Sequence, residues 1–157
     1  MDYSIRDILD RKRGELHAVR PDDTISTAVK VMNAHNVGAV VVTEGEVLEG
    51  IFTERDVLRR VVDGGVDPAI TPVSDLMSTE LVFIRPENTV SEAMVILDAK
   101  GIRHLPVIDN GQIVGLVSMR DLINQVVDGQ EHEISELVQY ISGAYGPGIR
   151  VGSSAAV

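Results

Sequence analysis

The string Gly-x-hydrophobic-Ser/Thr-x-Arg-Asp occurs twice, as Gly50-Ile51-Phe52-Thr53-Glu54-Arg55-Asp56 and as Gly115-Leu116-Val117-Ser118-Met119-Arg120-Asp121. The apolar residues before each hydroxyl read as the end of a strand, and those after it as the start of a helix. Such a junction points free backbone N–H groups and the positive end of the helix dipole at whatever lies above it, which favours a phosphate. Arg55 and Arg120 add charge-assisted donors, and the Thr53 and Ser118 hydroxyls one more. An ionised Asp56 or Asp121 one turn in can accept from two vicinal hydroxyls, as acidic residues do when they recognise ribose. The set suits a nucleoside phosphate. The same Ser/Thr-x-x-Asp spacing is also that of a capping box, in which hydroxyl and carboxylate satisfy only the helix's own N–H groups. An Arg in both copies is what a cap does not need.

The elements that position these residues are duplicated. A shift of 65 residues lays Val19-Arg-Pro-Asp-Asp-Thr-Ile-Ser over Ile84-Arg-Pro-Glu-Asn-Thr-Val-Ser and, without a gap, the first Gly-x-x-Thr string over the second. Upstream, Arg6-Asp7-Ile8-Leu9 resembles Ser74-Asp75-Leu76-Met77, with three more residues before the shared block in the first copy. Thr24 and Thr89 are N-caps, Glu92 completes a capping box, and apolar residues follow at Ile25, Ala28, Val29, Met32 and at Val90, Ala93, Met94, Leu97. Both helices stop near residues that tolerate a left-handed backbone, Asn36 and Gly101. Short strands follow at 39–43 and 105–108, with return strands at 48–52 and 113–117. Asn110-Gly111 is a strong two-residue hairpin signal and Glu44-Gly45-Glu46 a weaker one. A second helix then begins at Thr53 or Ser118, carrying Val57, Leu58 and Val61, or Leu122, Ile123 and Val126, on one face.

The fold class is therefore α+β (α/β): two tandem β-α-β-β-α repeats packed with pseudo-two-fold symmetry, plus a C-terminal helix. The expected boundaries are 1–68 and 69–129 for the repeats, 130–142 for an amphipathic helix carrying Ile134, Leu137, Val138 and Ile141, and 143–157 for a flexible tail.

Composition narrows the function classes. The 157 residues are 44% hydrophobic but only 3% aromatic, so the core is aliphatic. A formal charge of −10 argues against a nucleic-acid surface, which needs clustered Lys and Arg. Without cysteine there is no disulfide, thiolate metal site or cysteine nucleophile. No segment has the length of a signal peptide or membrane helix, so a cytoplasmic location is expected, with no membrane contact. No complete P-loop, Gly-x-Ser-x-Gly or zinc-ligand set is present, and Glu131-His132-Glu133 with Glu136 reads as helix N-terminal charge. Neither catalysis nor a required metal is expected.

Val-x-Pro-x-x-Thr opening a helix, Gly101-Ile102-Arg103-His104-Leu105-Pro106-Val107, an acidic hairpin turn and the Gly-x-hydrophobic-Ser/Thr-x-x-Asp string agree in order and spacing. Together they resemble the CBS domain family, over roughly Ile5 to Val127. The resemblance implies two clefts between paired repeats, of the kind that commonly hold an adenine nucleotide, in one or both: AMP first, with ATP, NAD and S-adenosylmethionine as alternatives. It implies that Asp56 and Asp121 bind ribose, and that Thr53, Arg55, Ser118 and Arg120 face phosphate. It also implies that Val37, Gly38, Ala39 and Val40, with Ile102, Leu105 and Pro106, approach adenine. Arg103 and His104 fall where the family places basic residues that reach a phosphate held by the other repeat. Gly38 and Ala39 are their counterparts in the first copy, so the Asp56 cleft should favour the more anionic ligand. Asp10-Arg11-Lys12-Arg13-Gly14 departs from the compact Ser78-Thr79-Glu80, and its basic run reads as a solvated loop that touches a ligand or an acidic partner at most. The resemblance further implies a homodimer and a protein target on a separate polypeptide. The competing reading is a dimerisation or partner-docking protein with decayed nucleotide sites.

Overall fold

The computed structural model describes residues 2–130, so the expected C-terminal helix, the tail and the Glu131–Glu136 cluster lie outside the described residues. Residues up to Leu122 form one compact unit, and the described part of a second, residues 123–130, is helical. The first copy runs α1 (Ile5–Arg11), β1 (Ala18–Val19), α2 (Ile25–His35), β2 (Ala39–Glu44), β3 (Val47–Thr53) and α3 (Glu54–Asp56), which widens into a π-turn over Val57–Val62. The second has a 3₁₀ turn (Val73–Asp75), α4 (Val90–Lys100), β4 (His104–Asp109), β5 (Gln112–Ser118) and a helix from residue 119.

The local chemistry behaves as the residue types require. Thr24 and Thr89, both extended, cap α2 and α4, and Glu92 returns to the Thr89 N–H at 2.9 Å. Asn36 and Gly101 end those helices at φ +52° and +62°. Asn110 and Gly111 turn the second hairpin with positive φ at both positions, as a type I′ turn demands. Sheet order is β1-β2-β3, with β1 parallel and β3 antiparallel to β2. In the second copy β4 and β5 pair alone, and the counterpart of β1 is a single parallel bridge from Ile84 to Val107. Both hairpins carry a register irregularity at equivalent places, between Val42 and Thr43 and between Val107 and Ile108.

Alternation along β2 separates two sets of contacts. Val40 and Val42 enter a core with Ile25, Ala28, Met32, Phe52 and Val61, while Ala39 and Val41 join Ile51 against Ile113 and Leu116 of the other sheet. Burial on both faces makes β2 a continuous apolar run rather than an alternating one.

The repeats exchange their leading segments. The Val90 N–H donates to Tyr3 O (2.8 Å), Ile5 to Asn88 O (2.8 Å) and Arg6 to Pro86 O (2.9 Å), which docks the α1 segment on the start of α4. The matching bonds Ile25 to Thr71 O (3.0 Å), Val73 to Asp23 O (2.7 Å) and Ser74 to Pro21 O (3.1 Å) dock the 3₁₀ segment on the start of α2. Val73 accordingly belongs to the core built on α2, with Leu76 and Met77 packed beside it.

One expectation is corrected. Leu58 does not share a buried face with Val57 and Val61: it is 65% exposed, while Val61 is 4% exposed. Its counterpart Ile123 is likewise exposed, at 46%, in a helix of α winding, so this position leaves the buried face in both copies and not only in the π-turn.

Candidate functional site

At the first junction, β3 ends on Thr53 in extended conformation, and the capping box is complete. The Asp56 N–H donates to Thr53 Oγ1 (3.2 Å), and the Thr53 N–H and hydroxyl donate to Asp56 Oδ2 (2.9 and 3.1 Å). Asp56 is 9% exposed, a charge buried because these donors hold it. Its other oxygen, Oδ1, lies 3.5 Å from Arg60 Nε, one turn further on, and Arg60 Nη1 also donates to Leu76 O (2.7 Å). Arg55 leaves its own repeat. Its Nη1 donates to the carbonyl of Gly101 (3.1 Å), the left-handed residue that ends α4 and precedes Ile102 and Arg103.

At the second junction, the Ser118 N–H donates to Asp121 Oδ2 (2.8 Å) and the Asp121 N–H to Ser118 Oγ (3.2 Å). The same Oδ2 accepts from Lys12 Nζ at 2.9 Å, across 109 residues of sequence, and that ammonium also donates to Leu116 O (2.8 Å). Both side chains are half-buried. Arg120 is exposed.

Between the junctions a second equivalence holds. Gly38 O accepts from Glu54 N–H and Arg103 O from Met119 N–H, each at 2.9 Å. A side chain at Gly38 would meet Glu54 Oε1 at 3.1 Å, so glycine there lets Glu54 lie close. His104, half-buried and paired with Ser118 in the strand register, has its pKa held below the ordinary 6.5. Burial is the main cause; Lys12 and Arg103 act the same way, against an upward pull from Glu54 and Asp121. His104 is therefore neutral near pH 7 and offers a hydrogen-bonding ring, which leaves exposed Arg103 as the cation of that pair.

The residues expected near adenine divide by burial. Ala39, Val40, Leu105 and Pro106 are buried, so their side chains serve the interior and their backbone is what remains for a ligand. Val37, Gly38 and Ile102 are half-buried. Sequence reasoning missed Lys12 and Arg60 as the partners of the two carboxylates. Arg60 had a signal, its i,i+4 spacing from Asp56; Lys12 had only its place in a basic run. Also unforeseen is a stacked pair, His17 on His35, with ring centroids 3.9 Å apart.

Among the described residues, no group of three or more His, Cys, Asp or Glu is placed to hold a metal ion, and no helix is long and apolar enough to cross a membrane.

Comparison with known proteins places these features. The family model described as CBS domain matches residues 4–63 and 73–128. The mitochondrial CBS domain-containing protein CBSX3 of Arabidopsis thaliana is 42% identical over 129 residues, 79% of this chain and 63% of that protein. The chain thus spans less than two thirds of that relative. The CBS domain-containing protein YhcV of Bacillus subtilis is 39% identical over 120 residues, 76% of this chain and 85% of that protein. Among solved structures, the CBS-domain containing protein ATU1752 of Agrobacterium tumefaciens superposes with a TM-score of 0.73 at 36% identity, over 78% of this chain and 98% of that one.

Proposed function

This chain belongs to the CBS domain family, with two tandem copies of the repeat, and from that premise we propose that it is a non-catalytic regulatory module that binds an adenine nucleotide and signals its presence to a partner protein. The observation that carries this reading is Arg55. A helix cap needs the hydroxyl and carboxylate of Thr53 and Asp56 but no guanidinium, and Arg55 reaches across to Gly101 of the other repeat. A phosphate at that junction would meet Thr53, Arg55 and, from the other repeat, Arg103; a ribose diol would meet Asp56 Oδ1. Arg55 would exchange one carbonyl for a charged acceptor, which makes the stronger bond. Ser118, Arg120 and Asp121 are the same set in the second repeat. Adenine would lie against Val37 to Val40 and Ile102 to Pro106. AMP heads the ligand order, ahead of ATP, NAD and S-adenosylmethionine.

The test is thermal unfolding with each of the four ligands, on wild type, Asp56→Ala and Asp121→Ala. A stabilisation by at least one ligand that an Asp substitution abolishes supports sensing and identifies the nucleotide. Failure of all four to stabilise the protein at millimolar concentration removes the reading. It leaves the docking alternative, to which exposed Leu58 and Val62 on the π-turn, at 65% and 68%, would contribute a dimer or partner surface.

A further inference from the structure

Gly50-Ile51 and Gly115-Leu116 occupy equivalent places on β3 and β5, yet the two strands are met differently. The Ser78 N–H donates to Ile51 O (2.9 Å) and the Ile51 N–H to Ser78 O (3.0 Å), a backbone bridge closed by the leading segment of the second repeat. The leading segment of the first repeat has no such bridge to β5. There α1 runs on to Arg11, and the chain turns away through Arg13 and Gly14, both left-handed at φ +52° and +69°. What arrives at Leu116 O in place of a backbone amide is the Lys12 ammonium, at 2.8 Å. The extra residues of the first repeat thus have a structural result: they substitute a positive charge for a neutral N–H beside a carboxylate expected to read ribose.

That charge lies on the carboxylate itself. Lys12 Nζ is 2.9 Å from Asp121 Oδ2, with the two side chains 27% and 22% exposed. Charge-assisted bonds between partly desolvated groups are the strong ones. Asp56 has a looser cation: Arg60 stands 3.5 Å away, its side chain is 46% exposed, and it also binds Leu76 O. A diol arriving at Asp56 meets Oδ1 and competes there with that long contact; at Asp121 the short, shielded ion pair, anchored a second time at Leu116, sits on the capping oxygen Oδ2, so it acts by neutralising the carboxylate and not by covering Oδ1.

We propose that Lys12 decides which junction takes the nucleotide: its ammonium holds the Asp121 carboxylate from within the chain, so the Asp56 junction binds and the Asp121 junction stays closed while Lys12 is in place. This rests on the nucleotide reading above. Lys12 acts on specificity through Asp121 rather than by touching the ligand.

Isothermal titration with AMP tests it, on wild type, Asp56→Ala, Lys12→Met and the double variant Lys12→Met with Asp56→Ala. Wild type should take up a single equivalent, lost in Asp56→Ala. Lys12→Met should take up a second equivalent, and the double variant should keep that one, with an affinity at least about tenfold above anything Asp56→Ala shows. Lys12→Gln, which keeps a donor for Leu116 O without the charge, should also gain the second equivalent, and stands in should Lys12→Met fail to fold. Two equivalents in wild type, or no gain in either Lys12 variant that folds, overturns the role of Lys12 and leaves the nucleotide reading intact. Loss of binding on removing Lys12 also overturns it, by making Lys12 a ligand contact. Absence of binding in all the proteins overturns the nucleotide reading and the role of Lys12 with it.

Discussion

The two junctions share a seven-residue pattern and a capping geometry, and differ in who neutralises the carboxylate. Asp56 is served by a neighbour on its own helix, Arg60, at 3.5 Å; Asp121 by Lys12, from the opposite end of the chain, at 2.9 Å. The difference originates away from either motif, in the leading segments that the repeats exchange. One delivers a backbone bridge at Ile51, the other a lysine at Leu116. Duplication therefore preserved the capped carboxylate while the segment next to it changed which cation neutralises it.

The largest expected effect breaks or upholds this asymmetry directly. With AMP at one hundred times its dissociation constant, wild type should gain about 2.7 kcal/mol, roughly 5–10 °C in Tm. Asp56→Ala should abolish that gain, and Asp121→Ala should leave most of it. Scanning fluorimetry on the three proteins, each referred to its own ligand-free Tm, gives the answer. Equal losses from the two substitutions would make the junctions equivalent.

Next in size is a pair of glycine substitutions that probes what backs each strand. A Cβ at Gly50 would stand 2.6 Å from Met77 Sδ and 2.8 Å from the Ser78 carbonyl, part of the backbone bridge, which cannot give way without breaking it. A Cβ at Gly115 would meet only the Leu9 side chain, chiefly Cδ2, its movable end. Gly50→Ala should cost about 2–3 kcal/mol, and Gly115→Ala about 1 kcal/mol less, by urea unfolding. A reversed order would mean that α1 is the more rigidly held of the two segments. Smaller again is cap removal: Thr53→Ala and Ser118→Ala should each cost about 1 kcal/mol, with Thr53 the larger because its hydroxyl also donates to the more deeply buried Asp56.

Much of the fold was legible because its signals are local. Thr24, Asn36, Thr89, Glu92, Gly101 and Asn110-Gly111 each fix a helix end or turn through their own backbone preferences, and the 65-residue shift carried one copy's elements onto the other. At the candidate site the capping geometry was legible as far as the motif extended, to Thr53, Asp56, Ser118 and Asp121. Lys12 was not, because a contact over 109 residues leaves no periodicity and a lysine in a basic run looks like any solvated lysine. The exchange of segments was equally hidden: the bonds from Val90 to Tyr3 and from Ile25 to Thr71 are backbone bonds, which carry no residue signature. Leu58 and Ile123 were misplaced because a residue at the edge of an apolar face has the same spacing whether it is buried or exposed, and the first strand of the second copy is a single bridge at Ile84, which one residue's hydropathy does not announce.

The smallest effect concerns His104, on which the charged groups of both junctions converge. Its pKa is lowered mainly by burial, with Lys12 and Arg103 acting in the same direction and Glu54 and Asp121 against them. The unfolded chain, at the ordinary 6.5, therefore binds the proton before the folded one does. This contribution to stability is complete above that value and is lost as pH falls through it towards the folded pKa. The lowered carboxylates Asp7, Glu87 and Glu92 start from 3.8 and 4.5 and titrate further down, so the window from pH 7 to about 5 belongs to the histidines. His17 is also lowered, by burial and then by His35, and carries the same sign, so the comparison has to be between proteins. Tm measured across that window should fall less in His104→Asn than in wild type. In Lys12→Met the fall should lie in between, since removing the ammonium takes away one cause that lowers His104 and frees Asp121 to pull it upward. A Lys12→Met profile superimposed on that of wild type would mean that burial alone sets His104. The half-buried lysine would then act on Asp121 without reaching the strand beside it.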